Sequence, residues 1–491
     1  MAYTSFSQFL TALEKEGELK RIGVPVATEL EITEIANREM KSPGGGKALL
    51  FEKPTIAGLA SPIPVAINTM GSRRRMAMAL GIGSVDELAH QMQLILKAKP
   101  PTGLREAWTL LRQGIDLLHA RPRHVPDGPC KEVVHRFKGE QGGAFTLENL
   151  PVLKCWPRDG GRFITLPNVH TRDPETGERN VGMYRMQIYD GTTAGMHWQV
   201  HKVGARHGKR YYERKEPMPV AVALGGDPAM TFAATAPLPD GLDEVLFAGF
   251  VRKKSVDLVK CETIDLEVPA DSDFVLEGYV QPGETRAEGP FGDHTGFYTP
   301  LDDYPVFHLT AITHRKQPLY PATIVGIPPM EDFYMGSATV RVFLPVFRMN
   351  FPEIVDMALP AEGVFHNLVF VSIRKQYAWQ AYKIMHGLWG MGQMMFSKYI
   401  FVVDEDCDVH NTSEVLFRLC ANTDPQRDST FIKNPCDALD HAQSEPTIGS
   451  HMGIDATRKL PAEGYTRQWP ELLKMDAAVK ERVDAILKSL A

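Results

Sequence analysis

Ala287-Glu288-Gly289-Pro290-Phe291-Gly292-Asp293-His294-Thr295-Gly296 decides how this 491-residue chain is read. The stretch holds too much Gly and Pro for a helix, and it lacks the alternating apolar residues of an ordinary strand. It follows a predicted strand, Phe274 to Val280. Glu288 and Asp293 are therefore expected to sit on a stiff turn at the end of β-structure. With Arg185 within folding reach, two such carboxyls are raw material for a tuned acid/base site. The ordinary alternative is a surface turn with solvated carboxylates, and the turn alone does not choose between them.

Outward from that turn, residues 121–320 read as short strands separated by turns. Candidates are Phe163 to Pro167, Met183 to Tyr189, Val220 to Leu224, Ser255 to Lys260, Phe274 to Val280 and Val306 to Ile312. Such spacing predicts an antiparallel barrel or sandwich. Arg121 to Pro129 is the linker into it. Before it, residues 1–120 carry an α/β pattern. Ser5-Phe6-Ser7-Gln8 fits a capping box, with Phe6, Phe9, Leu10 and Leu13 on one helical face and Gly17 as the stop. A strand from Leu19 to Val26 and a helix around Ile32, Ile35 and Ala36 follow. Gly44-Gly45-Gly46-Lys47 invites a phosphate-loop reading, but Lys41 and Ala48 stand where Gly and Ser/Thr are required, so a turn before the strand Ala48 to Phe51 is expected. After the central region, residues 321–491 contain Asn367 to Ile373 and Lys398 to Val403 as buried-type strands, with a helix from Ala378 to Met394 between them. That is a βαβ unit in a parallel sheet. A last helix carries Val479, Val483, Ile486, Leu487 and Leu490 on one face; packing on its own domain and crossing to another are both open. The expected fold class is thus α/β within a multidomain α+β chain.

Composition is that of a globular protein, with 43% hydrophobic and 23% charged residues. A net charge of −6 gives no pull toward nucleic acid or anionic membrane. Ser72 before Arg73, Arg74 and Arg75 reads as a helix cap, so that basic cluster is expected to be a solvated helix start. Six cysteines without a CxxC pair argue against a disulfide framework or a zinc knuckle and suit a reducing cytoplasm. The amphipathic, acid-bearing Phe6 to Glu18 does not look like a signal peptide. Pro54 to Ser72, broken by Gly58, Pro62, Pro64 and Asn68, is a poor bilayer span.

Asn180-Val181-Gly182-Met183-Tyr184-Arg185 places a carbonyl donor and a guanidinium close together at the start of a strand. His197 and His201 form an H-x-x-x-H pair that can hold zinc from one helical face, but Trp198 stands where a metalloprotease glutamate would be. Together, Asn180, His201 and Glu244 would suit Mn²⁺ or Mg²⁺. Taken singly, a turn Asn, a backbone-bonded His and a solvated Glu are the simpler readings.

Taken in order, the motifs resemble the UbiD family of prenylated-flavin-dependent decarboxylases over nearly the whole chain. They run from Leu30-Glu31-Ile32-Thr33-Glu34-Ile35 and Pro151 to Pro157, through Asn180 to Arg185, Glu244 with Phe247-Ala248-Gly249-Phe250, and Val259-Lys260-Cys261 with Asp265-Leu266-Glu267-Val268-Pro269. They continue with Leu276-Glu277-Gly278 leading into Glu288 to Gly296, then Phe351-Pro352-Glu353-Ile354-Val355-Asp356 and Gly453-Ile454-Asp455-Ala456-Thr457.

The resemblance implies an N-terminal α/β domain, a split-barrel flavin domain, and a C-terminal α/β domain whose last helix reaches across subunits of a homodimer or homohexamer. It implies Asn180, His201 and Glu244 as ligands of a manganese (or magnesium) ion that tethers the flavin phosphate, and a potassium ion near the loop Ala233 to Pro237. Met183, Tyr184, Arg185, His197, Trp198, Gln199, Lys202, Val203, Pro237 and His451 would contact prenylated FMN. Arg185, Glu288 and Asp293 would be catalytic: Arg185 holds the substrate carboxylate and pairs with Glu288, while Asp293, its pKa raised by burial and an acidic neighbour, returns the proton. The chemistry has its own logic, because loss of CO₂ from an sp² ring carbon leaves a carbanion with no conjugated place for its charge, and an electrophilic cofactor supplies one. His451 departs from the Lys of many relatives, and His197 from the Arg of ubiquinone-branch relatives.

Pro328-Pro329-Met330-Glu331-Asp332-Phe333-Tyr334-Met335-Gly336 and Glu362-Gly363-Val364-Phe365-His366-Asn367-Leu368-Val369 look closer to the menaquinone-biosynthesis branch. The implied substrate is a dihydroxynaphthoate, prenylated or not, with Phe333, Tyr334, Met335 and Phe365 suited to a flat ring and an apolar tail. The implied partners are that aromatic acid and a flavin prenyltransferase supplying the cofactor; the implied place is the cytoplasm, peripheral to the membrane if the substrate is prenylated. A polyprenyl-hydroxybenzoate decarboxylase of the ubiquinone branch is the alternative. A metal-dependent hydrolase and a non-catalytic flavin-binding protein remain as other classes.

Overall fold

The computed structural model describes residues 2–96, 120–137, 145–198, 202–238, 241–445 and 447–490. Ser5 caps the first helix, Phe6–Lys15, by accepting the Gln8 N–H, and Phe6, Phe9, Leu10 and Leu13 form its buried face. Leu19–Ala27 then pairs in parallel with Ala48–Ile56. The N-terminal sheet runs in the order Leu19–Ala27, Ala48–Ile56, Val65–Ile67, Tyr320–Ala322. Its last strand arrives from beyond the central region.

Ser72 caps the helix Arg73–Ala79 as expected, but the reading of a wholly solvated basic start is wrong for Arg75. Arg75 is fully buried, and its guanidinium donates to the carbonyls of Gly45 and Gly46 and to Glu18. The glycine turn has inward-facing carbonyls that need donors, and the arginine supplies them.

Among the described residues the central sheet has nine strands, and every pairing within it is antiparallel. Its spine is two long strands, Phe274–Glu288 and Asp302–His314, bent by register shifts at Glu277/Gly278 and Val280/Thr285. The strand expected to end at Val280 therefore runs to Glu288. Its far half is mostly exposed and polar, which hid it from a hydrophobic pattern. Two other expectations shrink: Met183 to Tyr189 contributes only Met186–Ile188, and Phe163 to Pro167 only Phe163–Ile164.

The helix Glu331–Asn350 leads from the central region into the C-terminal sheet. There Leu368–Ile373 and Tyr399–Asp404 are parallel, with Gln380–Trp389 between them. That helix stops short of the expected Met394 and gives way to a 3-10 turn at Gly392–Phe396. Ile448–Asp455 adds a third parallel strand and Ser429–Pro435 an antiparallel edge. The terminal helix Ala477–Leu490 has no buried residue, so it does not pack on its own domain. All six cysteines are free, and no helix among the described residues is long and apolar enough to cross a membrane.

Candidate active site

Arg185 stands just before the strand Met186–Ile188, and Glu288 ends the long strand Phe274–Glu288. Chain folding brings them into contact. Arg185 Nε and Nη2 donate to Glu288 Oε1 at 3.0 and 2.9 Å, and Nη1 donates to Asp293 Oδ2 at 2.5 Å. The Phe291 ring backs the guanidinium at 4.6 Å. The side chains of Arg185, Glu288 and Asp293 are 11%, 0% and 7% exposed, so the acids are not solvated surface groups.

Local chemistry fixes the turn between the acids. Gly289 has φ +99°, a conformation that favours glycine. Its N–H donates to Gln187 Oε1 at 2.7 Å, and the Gly292 N–H donates to Asp159 Oδ1 at 2.8 Å. Gly160 packs so closely that a Cβ there would lie 1.9 Å from the Gly289 oxygen. Asp159, Gln187 and Gly160 were absent from the sequence-derived site, because hydrogen bonds to a turn leave no periodic signal.

His197 follows the strand Thr193–Met196 and lies with Nδ1 3.2 Å from Glu288 Oε2, its ring 4.1 Å from that of Tyr304. It is therefore not on a helix, which removes the one-face helical reading of His197 with His201; among the described residues the next helix starts at Val203. His201 and Gln199 lie outside the described residues.

The expectation of a raised Asp293 pKa is corrected. Burial pushes its carboxyl up, but the charge of Arg185 and the hydrogen bond and charge of His294 outweigh it and hold it well below the usual carboxylate range. Glu288 is likewise lowered: burial raises it, and the His197 hydrogen bond with the Arg185 charge more than offsets that. Both acids are ionised as they stand. His294 Nδ1 lies 2.8 Å from Asp293 Oδ1, and its Nε2 lies 2.8 Å from Nε2 of His366.

At the other end of the Asn180 to Arg185 segment, Glu244 opens the helix Glu244–Arg252 behind the cap residue Asp243. Its Oε2 accepts the Val181 N–H at 2.9 Å. Burial raises its pKa to about 7. The Asn180 side-chain nitrogen is buried with no hydrogen-bond partner among the described residues. Tyr184, also buried, accepts the Gly204 N–H at 3.3 Å. The Met183 N–H donates to Ala234 O at 3.2 Å, tying the Ala233 to Pro237 loop to this segment. Lys202 precedes Val203 at the helix start; burial lowers its pKa against the opposing charge of Asp437. Trp198 is buried, and its Nε1 has no partner among the described residues. Among those residues, no three His, Cys, Asp or Glu side chains form a metal-holding cluster.

His451 lies on the strand Ile448–Asp455. It is buried in the C-terminal sheet with Nδ1 2.7 Å from Ser397 O, and no contact among the described residues joins it to Asn180, Glu244 or Arg185. Of the aromatic set, Phe333 and Tyr334 line a cavity of about 1070 Å³ together with Arg73, Arg74, Arg341 and His410. Met335 is buried, and Phe365 packs on His294 at 5.4 Å.

Residues 10–95, 123–328 and 333–456 match, in turn, the N-terminal, Rift-related and C-terminal domains of the 3-octaprenyl-4-hydroxybenzoate carboxy-lyase family, UbiD. A protein of Archaeoglobus fulgidus, described as uncharacterized, is 48% identical over 99% of this chain and 98% of its own length. The vanillic acid decarboxylase of Sedimentibacter hydroxybenzoicus in closed form superposes with a TM-score of 0.84 at 27% identity, over 99% of this chain and 100% of that one. HmfF of Pelotomaculum thermopropionicum, a UbiD-class enzyme in complex with FMN, superposes at 0.78 and 27% identity, over 97% and 99% of the two chains; an evolved dimeric form of it holds prFMN. The protein is a carboxy-lyase of the UbiD type. The chain belongs to the UbiD family.

Proposed function

We propose that the protein catalyses non-oxidative decarboxylation of an aromatic hydroxy-acid with prenylated FMN, the substrate being of the dihydroxynaphthoate type. The observation that carries this reading is the buried contact of Arg185 with both Glu288 and Asp293. Asn180 and Glu244 fit the demands of a metal-tethered flavin phosphate. Asn180 supplies a buried amide whose oxygen is a hard donor, and Glu244 a part-buried carboxylate that a cation would keep ionised. With His201 they would hold Mn²⁺ or Mg²⁺, and the loop Ala233 to Pro237 would hold K⁺. Met183, Tyr184, Arg185, His197, Trp198, Gln199, Lys202, Val203 and Pro237 would line the flavin. His451 is the weakest member of that set, since its contacts are within the C-terminal sheet.

When bound, the cofactor supplies an electron sink for the ring carbon that loses CO₂. Arg185 presents donors that a substrate carboxylate can take by paired hydrogen bonds. Doing so draws the guanidinium from Asp293, removing the larger of the charges that depress its pKa and leaving that of His294. Burial then favours the protonated acid, which can return a proton to the ring. Glu288, held by His197, keeps Arg185 oriented. The flavin prenyltransferase is the supplying partner, and the exposed terminal helix Ala477–Leu490 is the element that would join subunits of a dimer or hexamer.

The test is ultraviolet-visible spectroscopy of protein co-expressed with a flavin prenyltransferase, followed by CO₂ release from a panel of aromatic acids. A modified-flavin spectrum with turnover of a dihydroxynaphthoate is the expected result. Turnover of a polyprenyl-hydroxybenzoate instead would move the protein to the ubiquinone branch, and absence of flavin uptake would sink the proposal.

A further inference from the structure

Decarboxylation consumes one proton per turnover: the C–C bond to the carboxylate breaks, CO₂ leaves, and the ring carbon takes a proton. Asp293, 7% exposed and paired with Arg185, is poorly placed to collect that proton directly from solvent. Two histidines stand behind it. His294 Nδ1 faces Asp293 Oδ1 at 2.8 Å, and His294 Nε2 faces His366 Nε2 at 2.8 Å. The second imidazole belongs to another part of the chain, just before the C-terminal strand Leu368–Ile373. Its Nδ1 is buried without a hydrogen-bond partner among the described residues, although the residue as a whole is part-exposed.

Two ring nitrogens at that distance require that one donate and the other accept. We propose that His366 and His294 form a relay that carries the reaction's proton from the His366 side of the site to Asp293. Asp293 faces His294 Nδ1 as an acceptor, so that nitrogen carries hydrogen and His294 Nε2 accepts from His366 Nε2–H. A proton arriving at His366 Nδ1 makes an imidazolium. Its Nε2 proton passes to His294, whose Nδ1 proton passes to the Asp293 carboxylate. The balance is one proton in at His366 Nδ1 and one delivered at Asp293. His366 is then left as the Nδ1–H tautomer and His294 as the Nε2–H tautomer, so each ring must rotate to reset the relay before the next turnover. Each is a positioning residue, because only Asp293 meets the substrate.

The surrounding charges support a graded pair. Burial lowers the His294 pKa, but the hydrogen bond and charge of Asp293, with Asp332 and Asp437, leave it raised. Burial and the His294 charge lower His366 to about 4, against the opposing charges of Asp437, Asp440 and Asp293. Asp332 comes from the start of the helix Glu331–Asn350, and Asp437 and Asp440 follow the strand Ser429–Pro435. A proton entering at His366 therefore moves toward the more basic ring, and passes on to Asp293 once the substrate carboxylate has drawn Arg185 away.

This inference rests on the decarboxylase reading, and the experiment separates the two. His366→Gln keeps a polar side chain of similar size that cannot relay a proton. In the holoenzyme its kcat should fall roughly tenfold or more with KM unchanged, and added imidazole buffer should restore part of the loss. In the metal-free, flavin-free protein, NMR of ring-labelled histidine should show His294 and His366 titrating as a coupled pair, and His294 changing its titration in the Gln variant. Wild-type turnover with an unaltered His366→Gln profile, or independent titration of the two rings, would overturn the relay and leave the decarboxylase reading standing. No turnover by wild type would instead strike that reading, while the NMR result still judges the pair.

Discussion

At one end of the site, Arg185 divides its donors between Glu288 and Asp293, and both acids are ionised within the protein's own contacts. At the other end, Asn180 keeps a buried nitrogen with no partner among the described residues, and Glu244 is part-buried, with burial pushing its pKa to about 7. The segment between them is short, yet the two ends obey different rules. The acid/base end is complete before any ligand arrives, and its opposite charges offset each other's desolvation. At the Asn180–Glu244 end, the desolvation of the Glu244 carboxylate is a cost that a cation would offset. If a metal-tethered cofactor completes the second end as proposed, its loss should leave the first end standing.

The harshest break of that contrast is Arg185→Ala, which strands two buried carboxylates. Turnover should vanish, and stability should fall by about 3–5 kcal/mol, read by denaturant unfolding of the apoprotein. A loss below about 1 kcal/mol would mean that the acids are not held as described.

Asp293→Asn comes next. Turnover should drop by about 10²- to 10⁴-fold while bound flavin, read by its absorbance, stays at the wild-type level. This variant also sharpens the pH behaviour. The folded Asp293 pKa lies below its unfolded value, so its stabilisation is present above roughly pH 4 and is lost as pH falls toward the folded value. Acid unfolding of the Asn variant should show less of that loss; an unchanged acid limb would count against the ion pair.

His201→Ala tests the proposed metal tether. Metal content, by elemental analysis, and flavin occupancy should fall together by about tenfold, with the acid-side unfolding profile left as in wild type. Equal flavin occupancy in the two proteins refutes the tether. The mildest change is His197→Phe, which retains a ring against Tyr304 and loses the hydrogen bond to Glu288. Its unfolding free energy should shift by about 1 kcal/mol, and its turnover should fall less than that of Asp293→Asn.

Periodic features were legible in the sequence. The Ser5 cap with its apolar face and the Leu368–Ile373, Tyr399–Asp404 pair could be read from residue patterns, because buried faces impose repeats. The polar half of Phe274–Glu288 could not, since neither face of that ribbon is strongly buried. Arg75 was misjudged because its neighbours Arg73 and Arg74 are exposed; only tertiary contact with the Gly45 and Gly46 carbonyls reveals its burial. Within the site, the order of motifs pointed to Arg185, Glu288 and Asp293. The direction of the Asp293 shift was not legible, because it depends on His294 and Arg185 outweighing burial. His366 had appeared only as part of a motif, since its partner His294 lies in a different domain match.

The strand Tyr320–Ala322 lies alongside Val65–Ile67 in the N-terminal sheet. During synthesis, residues near position 67 leave the ribosome long before residue 322 does. The edge of Val65–Ile67 therefore waits, open to stray pairing, while the entire central sheet is being made. An N-terminal fragment ending near residue 120 would keep that edge bare for good, and should aggregate more readily than the same fragment supplied with the Tyr320–Ala322 segment.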